Sequence, residues 1–262
     1  MRICSDVHMH SVDFSGDAVS TMEEMCKSSI NQGLERICFT EHVDFDPHYD
    51  DSIPFDPVKY DNFINTMRSK FGDKIKILQG VEVGEPHMYP EEYDKILKRN
   101  YDMVMVGLHY VNLPMGLHWT GNGGKDIFTF AVDRIYRRYY EDLLAVVKLG
   151  GFDVLAHFDY PKRYLKKDAQ EDDLINEILT LLVKSPGLLE INTSSWRYGF
   201  SESTPGNKIL KKYKDIGGSK VTIGSDAHDK KDVGFGVERG FNLAEEIGLE
   251  VGYFENRKYC KL

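Results

Sequence analysis

Apolar positions along this chain recur in two alternating rhythms. Short runs rich in β-branched and aromatic residues have the length and composition of strands: ICSDVHMH (3–10), RICFT (36–40), IKILQGVEV (75–83), DMVMVGLH (102–109), FDVLAH (152–157), LLEIN (188–192) and KVTIGSD (220–226). Between them the spacing becomes helical. Tyr60, Phe63, Ile64, Met67 and Phe71 fall on one helical face, and Ser20 with Glu23, or Thr21 with Glu24, has capping-box spacing. Further helices are expected over 126–149 and 231–247. The stretch 110–125, YVNLPMGLHWTGNGGK, follows neither rhythm and reads as a loop insertion, with His118 and Trp119 as elements of a candidate lid. Strands separated by helices predict an α/β fold of parallel strands joined by crossover helices.

Length and composition narrow the classes. The 262 residues are 41% hydrophobic and 29% charged, with no internal repeat or linker, which fits a single barrel-sized domain over 1–262. No apolar run reaches the ~18 residues that a membrane span requires. The N-terminal MRICSDVHMH has no apolar export segment, so a cytoplasmic location is expected. A formal charge of −9 disfavours a polynucleotide partner. Cys4, Cys26, Cys38 and Cys260 form no CxxC pair, which argues against a thiolate zinc site and suits a reducing compartment.

The polar residues that end each strand carry the chemistry. His8 and His10 end the first run, Glu41 and His42 the second, Glu82 the third, His109 the fourth and His157 the fifth. Glu190 and Asn192 lie on the sixth, and Asp226 and His228 close the seventh. In a closed parallel barrel all these ends converge on one face, so residues more than 200 positions apart can surround one cavity. His48, His87 and His118 lie in loop-like sequence and are not expected to join it. Imidazole and carboxylate without thiolate suit zinc, manganese or iron. Six histidines and several carboxylates exceed the needs of one tetrahedral ion; two or three ions fit, with Glu82 as a candidate bridge. Clustered divalent ions activate water and clamp oxygens, which is hydrolase chemistry.

These residues stand in DVHMHS (6–11), FSGDA (14–18), FTEH (39–42), GVEVG (80–84), GLHY (107–110), LAHFDYPKR (155–163), EINTSSWR (190–197) and GSDAH (224–228). In this order the sequence resembles the polymerase-and-histidinol-phosphatase (PHP) family, most closely its monofunctional histidinol-phosphatase branch. The resemblance implies a distorted, TIM-like (β/α)7 barrel with three divalent ions at the C-terminal ends of its strands. It implies one ion on His8, His10, Glu82 and Asp226, a second on Glu82, His109 and His157, and a third on Asp17, His42 and His228. Arg163 and Arg197 would hold the substrate phosphate, and Glu82, Asp226 and His228 would be the catalytic groups. The implied reaction is hydrolysis of a small phosphate monoester, L-histidinol phosphate, by a metal-bound hydroxide, with neither nucleic acid nor membrane as partner. Alternatives are a PHP-type phosphoesterase acting on another small ester or on nucleic-acid ends, and a non-catalytic metal-binding module.

Overall fold

The computed structural model describes residues 5–46, 53–113, 116–119 (backbone alone), 130–167 and 171–262. In chain order the elements are β1 (Ser5–Asp6), α1 (Met22–Asn31), β2 (Arg36–Val43), α2 (Pro57–Phe71), β3 (Lys76–Gly84), α3 (Pro90–Leu97), β4 (Met103–Gly107), β5 (Tyr110–Leu113) and β6 (Gly116–Trp119). They continue as α4 (Val132–Leu149), β7 (Val154–Leu155), α5 (Lys162–Leu165), α6 (Asp172–Lys184), β8 (Leu188–Asn192), α7 (Ser194–Arg197) and α8 (Asn207–Asp215). The chain then forms β9 (Lys220–Gly224), α9 (Val237–Ile247), β10 (Glu250–Glu255) and β11 (Lys258–Lys261).

Seven strands pair in parallel in the order β1-β2-β3-β4-β7-β8-β9. The ring closes where the chain beyond β9 meets the chain beyond β1. There the Asp226 amide donates to the His8 carbonyl (2.8 Å) and the His10 amide to that of Ala227 (2.9 Å). The result is the expected distorted (β/α)7 barrel. Among the described residues its regular first and fifth strands are only two residues long, so 7–10 is extended chain held by its neighbours.

Two apolar layers hold the barrel. The larger lies between strands and helices; α2 contributes Tyr60, Ile64, Met67 and Phe71, the face expected from their spacing, after an Asp56 cap and Pro57 at its start. The smaller fills the interior with Val7, Cys38, Leu78, Met103, Met105, Val154 and Ala156, and Phe254 enters it from below.

That residue belongs to an element without a counterpart in the sequence reading. β10 adds to β9 in parallel and turns back antiparallel into β11. Its two-residue turn, Asn256–Arg257, has positive φ at both positions, 49° and 61°, the geometry of a tight hairpin. The insertion 110–125 likewise contains the hairpin β5–β6; 114–115 and 120–129 lie outside the described residues, as do the side chains of His118 and Trp119, His48 and Cys4. α1 is capped by Thr21 and Glu24, whereas Ser20 bonds to Asp229 instead. α9 begins at Val237, six residues later than expected, because turns occupy the intervening chain. Among the described residues no helix is long and apolar enough to cross a membrane.

Candidate metal centre

The site grows out of strand register. Cys38 pairs with Leu78, Thr40 with Gly80 and His42 with Glu82. Alternate residues of a strand share a face, so the inward rung that is apolar at Cys38 and Leu78 becomes imidazole and carboxylate four residues later. Small neighbours make room for it. A Cβ on Gly107 would lie 2.3 Å from Glu82 Oε1 and 2.6 Å from His157 Cε1, and one on Gly224 would lie 2.2 Å from His8 Cβ. Two of the converging residues, His157 (φ 24°) and Asp226 (φ 54°), occupy the left-handed region, local strain of the kind found at functional sites.

Glu82 is the hub. Its Oε1 lies 2.7 Å from His157 Nε2 and 3.8 Å from His109 Nε2; its Oε2 lies 3.3 Å from His8 Nε2, 3.5 Å from His10 Nε2 and 3.4 Å from His42 Nδ1. Asp226 Oδ1 faces the same imidazoles, 3.7 Å from His8, 3.6 Å from His10 and 3.5 Å from His228. Asp17, 45% exposed at the rim, reaches His228 Nε2 at 3.1 Å and His42 Nε2 at 3.6 Å. Every ligand-type residue expected from sequence therefore borders one cleft of about 260 Å³ or lies directly beneath it. His87 does not; it sits beside Asp142, 3.5 Å away.

The electrostatics show what the cluster holds. Burial alone would raise Glu82, but the imidazoles of His8 and His157 outweigh it and keep the carboxyl well below its ordinary range. Burial, with His42 and His228 nearby, drives His10 well down, and burial takes His109 to about 3, so both are neutral imidazoles, the ligand form. Glu190 fixes the tautomer of His8: its Oε1 takes the Nδ1 proton at 2.6 Å and its Oε2 accepts the His157 amide at 3.0 Å. His8 Nε2 is then directed at His10 Nε2, 3.0 Å away, and at the carboxylates of Glu82 and Asp226, which with Glu190 raise its pKa well above the ordinary imidazole value against the effect of burial. Two buried carboxylates and two imidazole nitrogens converging on one dry point need positive charge between them, a place a metal ion can take from a proton. Nitrogen and oxygen donors without sulfur fit a borderline divalent ion, and donor atoms approach within 4.8 Å in three groups: His8, His10, Glu82; Glu82, His109, His157; and His10, His42, His228.

The two expected arginines take different places. Arg163 lines the cleft, stacked over Tyr160 and Tyr198 at 4.9 and 4.8 Å, and donates to Ser194 Oγ (2.5 Å) and Asp226 Oδ2 (3.2 Å). Arg197 donates to the carbonyls of Ser225 (3.2 Å) and Asp226 (3.0 Å), bracing the strained Asp226 backbone, and lies 5.6 Å from the Tyr198 ring that lines the cleft. Sequence reasoning gave no role to several supporting residues. Glu190 and Asn192 were legible only as polar residues on a strand. Fully buried Glu41, raised to about 7 by burial despite bonds from Ser11 and Ser15, ties down the loop carrying His10 and Asp17. Glu85 Oε1 accepts the amides of His109 (2.6 Å) and Tyr110 (3.0 Å).

A closed parallel barrel with a histidine–carboxylate cluster at its C-terminal end defines a metal-dependent enzyme of the TIM-like class. Comparison with known proteins makes this specific: the PHP domain matches residues 6–194, and the chain belongs to that family. Its relatives include the histidinol-phosphatase of Lactococcus lactis, 29% identical over 98% of this chain and 96% of the relative, and a Clostridium acetobutylicum protein named "Probable histidinol-phosphatase", 30% identical over 96% and 97%. Among solved structures, the Lactococcus lactis histidinol phosphate phosphatase, complexed with zinc, L-histidinol and phosphate, superposes with a TM-score of 0.82 at 25% identity, covering 98% of this chain and 99% of that one.

Proposed function

We propose that this chain is a histidinol-phosphatase, releasing phosphate from L-histidinol phosphate. The observation that carries the reading is the meeting of Glu82, Asp226 and six histidines beside the stacked guanidinium of Arg163. Full-length likeness to relatives bearing that name, one of them solved with zinc, L-histidinol and phosphate, supports it. Three divalent ions are assigned, zinc foremost with manganese or iron as alternatives: one on His8, His10, Glu82 and Asp226, one on Glu82, His109 and His157, one on Asp17, His42 and His228. When bound, such ions activate water and neutralise phosphate charge.

The chain's own groups do the rest. Arg163 offers donors to the phosphate from a plane fixed by two tyrosine rings, the geometry that suits a tetrahedral oxyanion. Glu82, Asp226 and His228 form the reacting face. Glu190 keeps the proton of His8 on Nδ1, and Arg197 holds the Asp226 backbone. The substrate is small and the partner is neither nucleic acid nor membrane. Unpaired Cys26, Cys38 and Cys260 suit action in the cytoplasm.

The test is phosphate release from L-histidinol phosphate against a panel of small monoesters, with and without a strong chelator. A preference of orders of magnitude that chelation abolishes is expected. Broad metal-dependent turnover would remove the substrate assignment, and no turnover under metal-replete conditions would remove the reaction.

A further inference from the structure

One carboxylate in the cleft is unused by the centre just described. Asp44 follows β2 directly, two residues beyond His42, and lines the same cleft. The register that places His42 beside Glu82 brings it level with Gly84, the end of β3. Gly84 has no side chain, and the Asp44 carboxylate lies across the space left open: a Cβ there would stand 2.3 Å from its Oδ1. Asp44 is thus one rung nearer the mouth than the Glu82 hub. It belongs to none of the three clustered donor groups. Among the described residues its carboxylate makes no hydrogen bond or ion pair.

An anionic side chain held in a cleft without an ion pair among the described residues is favoured by a ligand that supplies a cation. The same cleft presents Arg163 and aromatic rings from Tyr110, Tyr160, Tyr164 and Tyr198. It therefore offers places for an anion, a flat ring and a cation. We infer that Asp44 is a specificity-determining residue that receives the ammonium group of a phosphorylated amino alcohol, selecting such esters over esters of neutral alcohols. This deepens the proposed function and rests on it. L-Histidinol phosphate carries its primary amine on the carbon next to the phosphorylated one, close enough for the phosphate and the amine to engage different groups of one cleft.

The experiment compares L-histidinol phosphate with its analogue lacking the amine, 3-(imidazol-4-yl)propyl phosphate, in the wild-type protein and in Asp44→Asn. Metal content is measured alongside, and inhibition by the free alcohols L-histidinol and 3-(imidazol-4-yl)propanol is followed as a readout independent of turnover. Wild type is expected to prefer the amine-bearing ester in kcat/KM. Asp44→Asn, which is nearly isosteric and breaks no existing bond, is expected to shrink that preference by about 30-fold or more, the scale for removing one partner of a desolvated charge pair. The inhibition constant of L-histidinol should weaken in parallel while that of the neutral alcohol holds. An unchanged preference, an equal loss on both esters, or loss of bound metal would each overturn the inference, the last two by making Asp44 part of the chemistry or of the metal centre. Wild type that hydrolyses both esters without preference defeats this inference alone. Wild type that hydrolyses neither defeats the proposed function and takes this inference with it.

Discussion

Both ends of the barrel bury carboxylates, and they treat them in opposite ways. At the N-terminal end Asp102 accepts the amides of Gln79 (2.9 Å) and Asn256 (3.1 Å) and the guanidinium of Arg68 (2.9 Å). Asp153 accepts the Val104 amide at 2.8 Å and the Arg257 guanidinium, which also reaches the Gly151 carbonyl at 2.6 Å. Each carboxylate there meets protons fixed by the backbone and by arginine, and the hairpin that supplies Arg257 also inserts Phe254 into the interior. At the C-terminal end Glu82 and Asp226 face imidazole nitrogens, and the buried Nδ1 atoms of His10 and His157 lack hydrogen-bond partners among the described residues. The carboxylates of one end are satisfied within the chain; those of the other are complete only with cations and an anionic ligand. The contrast separates a region that supports stability from one whose polar groups are arranged for something the chain does not contain.

Substitutions should divide along that line. The largest effect is expected from Glu82→Gln, which removes the charge shared by the surrounding imidazoles: kcat/KM should fall at least about 1,000-fold, about 4 kcal/mol of transition-state stabilisation. Metal analysis should show ions lost, while far-UV circular dichroism stays that of wild type; full activity at wild-type metal content would break the division. Phe254→Ala acts at the other end. Emptying the floor of the interior should cost about 3 to 5 kcal/mol in urea unfolding, with kcat per folded molecule unchanged. A drop in kcat at full folding would mean that the floor controls the site. Glu190→Gln tests the boundary between the two regions, since it keeps the shape but frees the Nδ1 proton of His8. Metal affinity in a chelator competition should weaken about 10- to 100-fold, and stability of the chelated protein should change far less.

How much of this was legible beforehand depended on the kind of signal. The seven strands and the face of α2 follow from periodicity that neighbouring packing does not override. The strand-end histidines and carboxylates were visible because parallel topology converts distant strand ends into one place. The β10–β11 hairpin was not, since GYFENRKY carries no Asn-Gly or Asp-Gly signal and its turn uses Arg257 at positive φ, tolerated because the guanidinium is anchored on Asp153. Nor could sequence separate Arg163 from Arg197. Both follow ligand-bearing strands, but one stacks in the cleft between tyrosines and the other turns back onto carbonyls.

By itself the sequence determined the alternation of strand and helix, the seven strands that form the barrel, the supply of imidazole and carboxylate at their ends, and the absence of thiolate ligands from that supply. These are properties of residue type and local spacing. Only the tertiary structure decided which carboxylate is the hub, which histidine tautomer is fixed, what each arginine touches, and that Asp44 lies across Gly84 without a hydrogen-bond partner among the described residues. Those depend on distances between atoms far apart in the chain, set by register and by closure of the barrel, and no local pattern encodes them.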